Sequence, residues 1–226
     1  MVVKKEVEIG GRLFSIETGK YAKQANGSVM VRYGDTMVLV TAVAASEAKE
    51  GLDYFPLQVE YREKTSAAGK FPGGYIKREG RPTEKEILSS RLCDRPIRPL
   101  FPESFTNETQ VVAMVMSYDG ENDPDVLAAC GASAALAISD IPFDGPMAEV
   151  RIGRVSGELI VNPTHEQIKL GDIELVVAGT ADSIMMVEGE SKEVSEQEFL
   201  DALKFAQQEI KKIVDVQNQL KAEAGR

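Results

Sequence analysis

The sequence predicts an α+β fold: a mixed sheet built largely from hairpins, with helices packed on it. Three observations predict it. Apolar and polar residues alternate through paired segments near both ends of the chain, and short turns join these segments strand to strand. Two capping boxes, Thr83-Glu84-Lys85-Glu86 and Ser195-Glu196-Gln197-Glu198, each open a stretch with apolar residues at helical spacing. Strands gathered in hairpins, with three helices among them, give an α+β arrangement rather than a regular βαβ series.

Taken in order, VEIGGRLFSIETG is a hairpin about Gly10-Gly11, and SVMVRYGDTMVLVTAVAA is a second about the turn from Tyr33 to Thr36. Residues 44–74, interrupted by Gly51, Pro56, Gly69, Pro72 and Gly73-Gly74, read as a long surface excursion. A helix starts at the Thr83 cap, with Ile87, Leu88 and Leu92 as its apolar face, and Pro96 should end it near Arg95. TQVVAMVMSYD is nearly all apolar and reads as a buried central strand. DPDVLAACGASAALAIS predicts a helix over about 124–139, with Asp123 as cap and Pro124 in its first position. Four further strands follow, MAEVRIGRV, ELIVN, IELVVAGT and SIMMVEGE, and a long helix from the Ser195 cap runs to about residue 224. There is no internal repeat and no linker, so residues 1–226 are expected to form one domain.

Composition bounds the function. With 43% hydrophobic and 27% charged residues the chain is ordinary for a globular protein, and no apolar run approaches the roughly 18 residues of a membrane span. No signal peptide is visible, which makes the cytoplasm the expected location and leaves no expected membrane partner. Cys93 and Cys130 are too few and too scattered for a zinc site or a disulfide framework, and read as reduced, packed thiols. His165, the lone histidine, lies in the polar segment NPTHEQIK and is expected on the surface. No phosphate loop, dinucleotide fingerprint, HExxH or GxSxG is present. A net charge of -10 argues against binding nucleic acid over the whole surface, and DNA is not an expected partner.

Against that acidic background, FPGGYIKREGRPTEKEILSSRLCDRPIRPLFP, residues 71–102, carries seven Lys and Arg against four Asp and Glu. Lys77, Arg78 and Arg81 lie in or beside a glycine-flanked loop. Arg91 and Arg95 are four apart on the expected helix, and Arg98 follows Pro96. Guanidinium forks suit phosphate oxygens, and Tyr75 offers a face on which a base could stack. Spacing alone leaves three readings open: a solvated, ion-paired surface, a phosphate or RNA site, and a site for another anion such as citrate.

That stretch, with VAMVMSYDGENDPDVLAACGASAALAISDIPFDGP and GDIELVVAGT, closely resembles the first RNase PH-like core of the bacterial polynucleotide phosphorylase family, and the resemblance covers nearly the whole chain. It implies an RNase PH-like domain within a phosphate-dependent 3′-to-5′ exoribonuclease, or polyribonucleotide nucleotidyltransferase, that releases nucleoside diphosphates. Family chains are much longer, with a second core, then KH and OB-type RNA-binding domains, all expected to lie outside this sequence. The implied partners are single-stranded RNA, two further copies in a homotrimeric ring, and proteins of an RNA-degradation complex. The implied co-substrate is inorganic phosphate.

The resemblance also assigns roles. The family's channel-constriction loop has two aromatics and two arginines where this chain has Tyr75, Ile76, Lys77 and Arg78, and together with Arg81 these imply RNA contacts. Arg91, Arg95, Arg98 and Arg151 match arginines that line the active site or face phosphate. The family's phosphate-binding serines and its Mg²⁺ ligands belong to the second core. The equivalent positions here are Asp123, Pro124 and Asp125, and Ile168, Glu174 and Val176. Carboxylates there would repel phosphate by about 4 kcal/mol each at ~4 Å. The implied core therefore has no catalytic and no metal residue of its own, and grips RNA instead. The alternatives are a stand-alone RNase PH-type exoribonuclease and a non-catalytic ring scaffold.

Overall fold

The computed structural model describes residues 1–49, 51, 54–75 and 80–226. Its first hairpin pairs β1 (Val3–Ile9) with β2 (Arg12–Thr18), closing at Ile9 opposite Arg12. Gly10 and Gly11 both take positive φ, +57° and +76°, which the tight two-residue turn requires and a side chain would resist. The second hairpin, β3 (Gly27–Tyr33) and β4 (Thr36–Ala44), buries Val38, Val40 and Ala42 in alternation with partly exposed Met37, Leu39 and Thr41. This period-two burial marks a sheet with one covered face.

The expected surface excursion contains a strand, which corrects that reading. β5 (Leu57–Glu63) runs parallel to β6 (Thr109–Ser117), and the six-stranded sheet has the order β1-β2-β3-β4-β6-β5. Parallel neighbours need a crossover, and α1 (Glu84–Ile97) lies within it. The basic stretch thus belongs to one βαβ unit inside an otherwise antiparallel sheet.

α1 differs from expectation in two ways. It continues through Pro96 to Ile97 and into a 3₁₀ turn, Arg98–Leu100. Burial of Pro96, Ile97 and Leu100 in the core offsets the one hydrogen bond the proline removes. Its buried face is Glu86, Ser89, Cys93, Pro96 and Ile97, while Ile87 and Leu88 are half exposed. Hydrogen bonding sets this rotation. Glu86 accepts from the Thr83 amide (2.7 Å) and from the Glu63 amide on β5 (2.9 Å), and the Tyr61 amide donates to Ser90 (2.9 Å).

α2 (Asp125–Ala137) is buried along its whole length, packed against β3, β4 and β7. A Cβ at Gly131 would come within 2.5 Å of Val40, so only glycine allows this approach. Pro124, not Asp123, is its N-cap, because Asp123 is drawn to two other partners described below. A four-stranded sheet of order β10-β9-β7-β8 follows, from β7 (Ala148–Val155), β8 (Glu158–Val161), β9 (Ile173–Gly179) and β10 (Ile184–Ser191). Between β8 and β9 lies a helix the sequence reading did not anticipate, α3 (His165–Leu170), capped by Thr164 with Gln167. α4 (Glu196–Ala224) packs on β1 and β7. Gln217 binds both Ser133 of α2 and the Met147 carbonyl (2.8 Å each), fixing α4 and α2 to the start of β7. Among the described residues, no helix is long and apolar enough to cross a membrane.

Candidate nucleic-acid interface

The capping box fixes where α1 begins and so which way its arginines face. Burial pushes the Glu86 carboxyl up, but hydrogen bonds from the Thr83 and Glu63 amides outweigh it and hold the group below its usual range. With Glu86, Ser89 and Cys93 turned inward, Arg91 and Arg95 project outward from one exposed stripe. Arg91 has no ion-pair partner among the described residues, and neither does exposed Arg81. Arg95 meets Glu188 of β10.

Arg98 is turned differently. It forks onto Asp94 (2.8 and 3.1 Å) and donates to the carbonyls of Phe55 (3.2 Å) and Leu57 (3.0 Å), tying the end of α1 to the start of β5. In the loop before α1, Tyr75 is 89% exposed and Phe71 is 96% exposed. Lys77 and Arg78 lie outside the described residues.

Arg151 of β7 sits apart, between β9 and the start of α2. Its guanidinium holds Asp125 at 2.7 Å and Glu174 at 2.5 Å, with only 12% of the side chain exposed. Burial disfavours its charge, but Asp125, Asp123 and Glu174 more than compensate and hold it firmly protonated. Asp123 lies 2.9 Å from Lys85 and 3.7 Å from His165 Nδ1, and Lys85 also reaches Glu63 at 3.0 Å. Burial raises the Asp123 carboxyl, yet Lys85, Arg151 and His165 pull it below the ordinary range. The ring of His165, partly buried rather than free on the surface, meets the Tyr118 hydroxyl at 2.7 Å through Nε2. Two cations thus face four carboxylates, and the phosphate-attracting charge is consumed internally.

Beneath them Glu149 is 1% exposed with neither carboxyl oxygen hydrogen-bonded, and burial together with Asp125 pushes it well above the ordinary range. Cys93 and Cys130 are buried free thiols beside it. Sequence reasoning missed Lys85, Tyr118 and Glu188 as members of these groups. A cavity of about 460 Å³, lined in part by Tyr21, Lys23, Asn26 and Glu223, shares no residue with the arginines and is no phosphate pocket for them.

Residues 10–142 match the model of the 3′ exoribonuclease family, domain 1, and residues 145–209 match domain 2. The chain belongs to the 3′ exoribonuclease family. It is 56% identical over its full length to the polyribonucleotide nucleotidyltransferase of Thermomicrobium roseum, and 57% identical over 97% of its length to that of Heliobacterium modesticaldum. It spans only 29% and 31% of those two relatives. Among solved structures, a chain of the Archaeoglobus fulgidus exosome with RNA bound to the active site superposes with a TM-score of 0.68 at 19% identity, covering 95% of this chain and 87% of that one. Rice Rrp46 superposes with a TM-score of 0.70 at 16% identity, over 92% of this chain and 94% of that one. The fold is therefore RNase PH-like.

The residues that the sequence resemblance equates with the family's Mg²⁺ ligands do not suit that ion. Ile168 is on α3, Val176 is buried in β9, and Glu174 is engaged by Arg151. Among the described residues no group of three His, Cys, Asp or Glu side chains comes together in a metal-ligand arrangement.

Proposed function

We propose that this chain is one RNase PH-like core, residues 1–226, the first of two in a phosphate-dependent 3′-to-5′ exoribonuclease of the polyribonucleotide nucleotidyltransferase type, and that it grips and guides single-stranded RNA without performing the chemistry. One observation carries the division of labour: Arg151, which matches an active-site arginine of the family, already holds two carboxylates, Asp125 and Glu174. A phosphate nucleophile there would have to displace both, against the remaining charge of Asp123.

The RNA contacts are assigned to Tyr75, Lys77, Arg78 and Arg81 of the loop, with Arg91 and Arg95 continuing the basic path along α1. Exposure of Tyr75, Arg81 and Arg91, without ion-pair partners for the two arginines among the described residues, supports this. Arg98 and Arg151 are assigned to shaping the wall of the active site. The RNA held in the active site of the archaeal exosome relative supports single-stranded RNA as ligand. The second core supplies phosphate binding and Mg²⁺, and the whole protein acts as a cytoplasmic trimer.

The test is turnover. This chain alone, given poly(A), inorganic phosphate and Mg²⁺, should release no nucleoside diphosphate while retaining salt-dependent RNA binding. Robust release would make it a stand-alone exoribonuclease. If replacing Lys77, Arg78 and Arg81 by Ala left RNA affinity intact and abolished assembly, the arginines would belong to a scaffold.

A further inference from the structure

Four arginines line the proposed RNA path and its end, and they differ in what holds them. Arg98 makes five hydrogen bonds to Asp94 and two carbonyls, and Arg151 is buried between two carboxylates. Arg91 has no ion-pair partner among the described residues. Arg95 stands between these extremes. It is 47% exposed, and its partner Glu188 is 52% exposed on a strand of the other sheet. The contact runs through Nη1, so it is end-on rather than a two-point fork.

Such a pair is weak, because both charges remain hydrated and two long side chains must be ordered. A phosphodiester offers the same guanidinium a two-point partner. Register places Glu188 deliberately close. It lies opposite Val176, which lies opposite Arg151, so Arg151, Val176 and Glu188 form one row on one face, with the backbones of Arg151 and Glu188 roughly 10 Å apart. Because Arg95 already meets Glu188, an RNA phosphate reaching Arg95 would arrive beside the Glu188 carboxylate.

We propose that Glu188 is a specificity-determining residue for RNA: it competes for Arg95 and is displaced most readily by a phosphate presented at high local concentration. A small anion competes for Arg95 singly. A strand already held by the loop around Tyr75 presents its next phosphates intramolecularly, at far higher effective concentration. Glu188 thereby favours a threaded strand over free anions. This inference rests on the proposed RNA-binding role and deepens it.

The experiment is a double-mutant cycle read by fluorescence anisotropy of a labelled oligoadenylate, using Glu188→Gln, Arg95→Ala and the combination. Glu190→Gln serves as control, since Glu190 is exposed two positions along the same strand face. Glu188→Gln should tighten binding about two- to fivefold, Glu190→Gln should do less, and the gain should vanish when Arg95 is already Ala. Inorganic phosphate should compete better against the Glu188→Gln protein than against the unsubstituted one. An unchanged affinity in Glu188→Gln, an equal gain from Glu190→Gln, or a gain that survives loss of Arg95 overturns the proposal while leaving RNA binding standing. Absence of salt-dependent RNA binding by the unsubstituted chain overturns both.

Discussion

Arg151 on β7 and Asp125 at the start of α2 meet at 2.7 Å in a site where each is almost fully buried. The contact joins the first half of the fold to the second and leaves neither charge free. Removing one partner strands a charge. Arg151→Met should lower stability by about 3 to 5 kcal/mol, read as a fall in urea midpoint with unchanged slope. Arg151→Met combined with Asp125→Asn should recover part of that loss, whereas additive losses would show that the two residues do not act as a pair.

Glu149 makes stability depend on pH with a defined sign. Its carboxyl is raised by burial, so the folded chain keeps a proton that the unfolded chain releases. Its stabilisation is complete below the unfolded value near 4.3 and is lost as pH rises toward the folded value, at about 1.4 kcal/mol per unit. Glu149→Gln cannot lose a proton. Its stability relative to the unsubstituted chain should climb between about pH 5 and 8, and a constant difference across that range would count against a neutral Glu149.

Asp123 carries the opposite sign. Held low by Lys85, Arg151 and His165, it stabilises the fold above the unfolded carboxylate range and stops doing so as pH falls through its depressed value. Asp123→Asn should therefore flatten the acid limb of the unfolding profile, below about pH 4, and leave the neutral limb parallel to that of the unsubstituted chain.

The α1 arginines should separate by role. For five or six phosphate contacts, log affinity for single-stranded RNA against log salt should fall with a slope near -4. Arg91→Ala should reduce that slope by about 0.7 and leave thermal stability unchanged. Arg98→Ala should instead lower stability by about 1 to 3 kcal/mol, since the hydrogen bonds to Phe55 and Leu57 are lost. A loss of stability in the first variant and of salt slope in the second would invert the assignment.

Tyr75→Ala should weaken RNA binding by about 1 to 3 kcal/mol, the worth of one stacked base, without altering the salt slope. Tyr75→Phe should restore it, because stacking uses the ring and not the hydroxyl.

The parts of this fold legible in the sequence are those whose cause is local. Gly10-Gly11, the Thr83 and Ser195 boxes and the alternation in β4 act within a few residues, and the hairpins and helices they predict are present. β5 was legible in principle, since LQVEYRE alternates strictly, but the surrounding glycines and prolines masked it. Thr164-His165-Glu166-Gln167 is likewise a capping box that uses Gln in place of Glu. The rotation of α1 was not legible. Ile87 and Leu88 look like a core face until Glu86 is seen to bind a β5 amide, a contact no periodicity encodes. The candidate site shows the same division: its arginines stand out as a cluster, whereas Lys85 beside Asp123 and Glu188 beside Arg95 depend on how distant elements pack.

The position of β5 at the rim of its sheet has a consequence for folding order. It is bonded to β6 alone, and among the described strands this is the one parallel pairing, closed across the entire segment that carries the arginines. The five antiparallel-connected strands can form without it, so β5 and α1 should dock last and open first. Amides of β5 and α1 should accordingly exchange with solvent well before those of β3 and β4, making the basic surface the part of the molecule that is easiest to unmake.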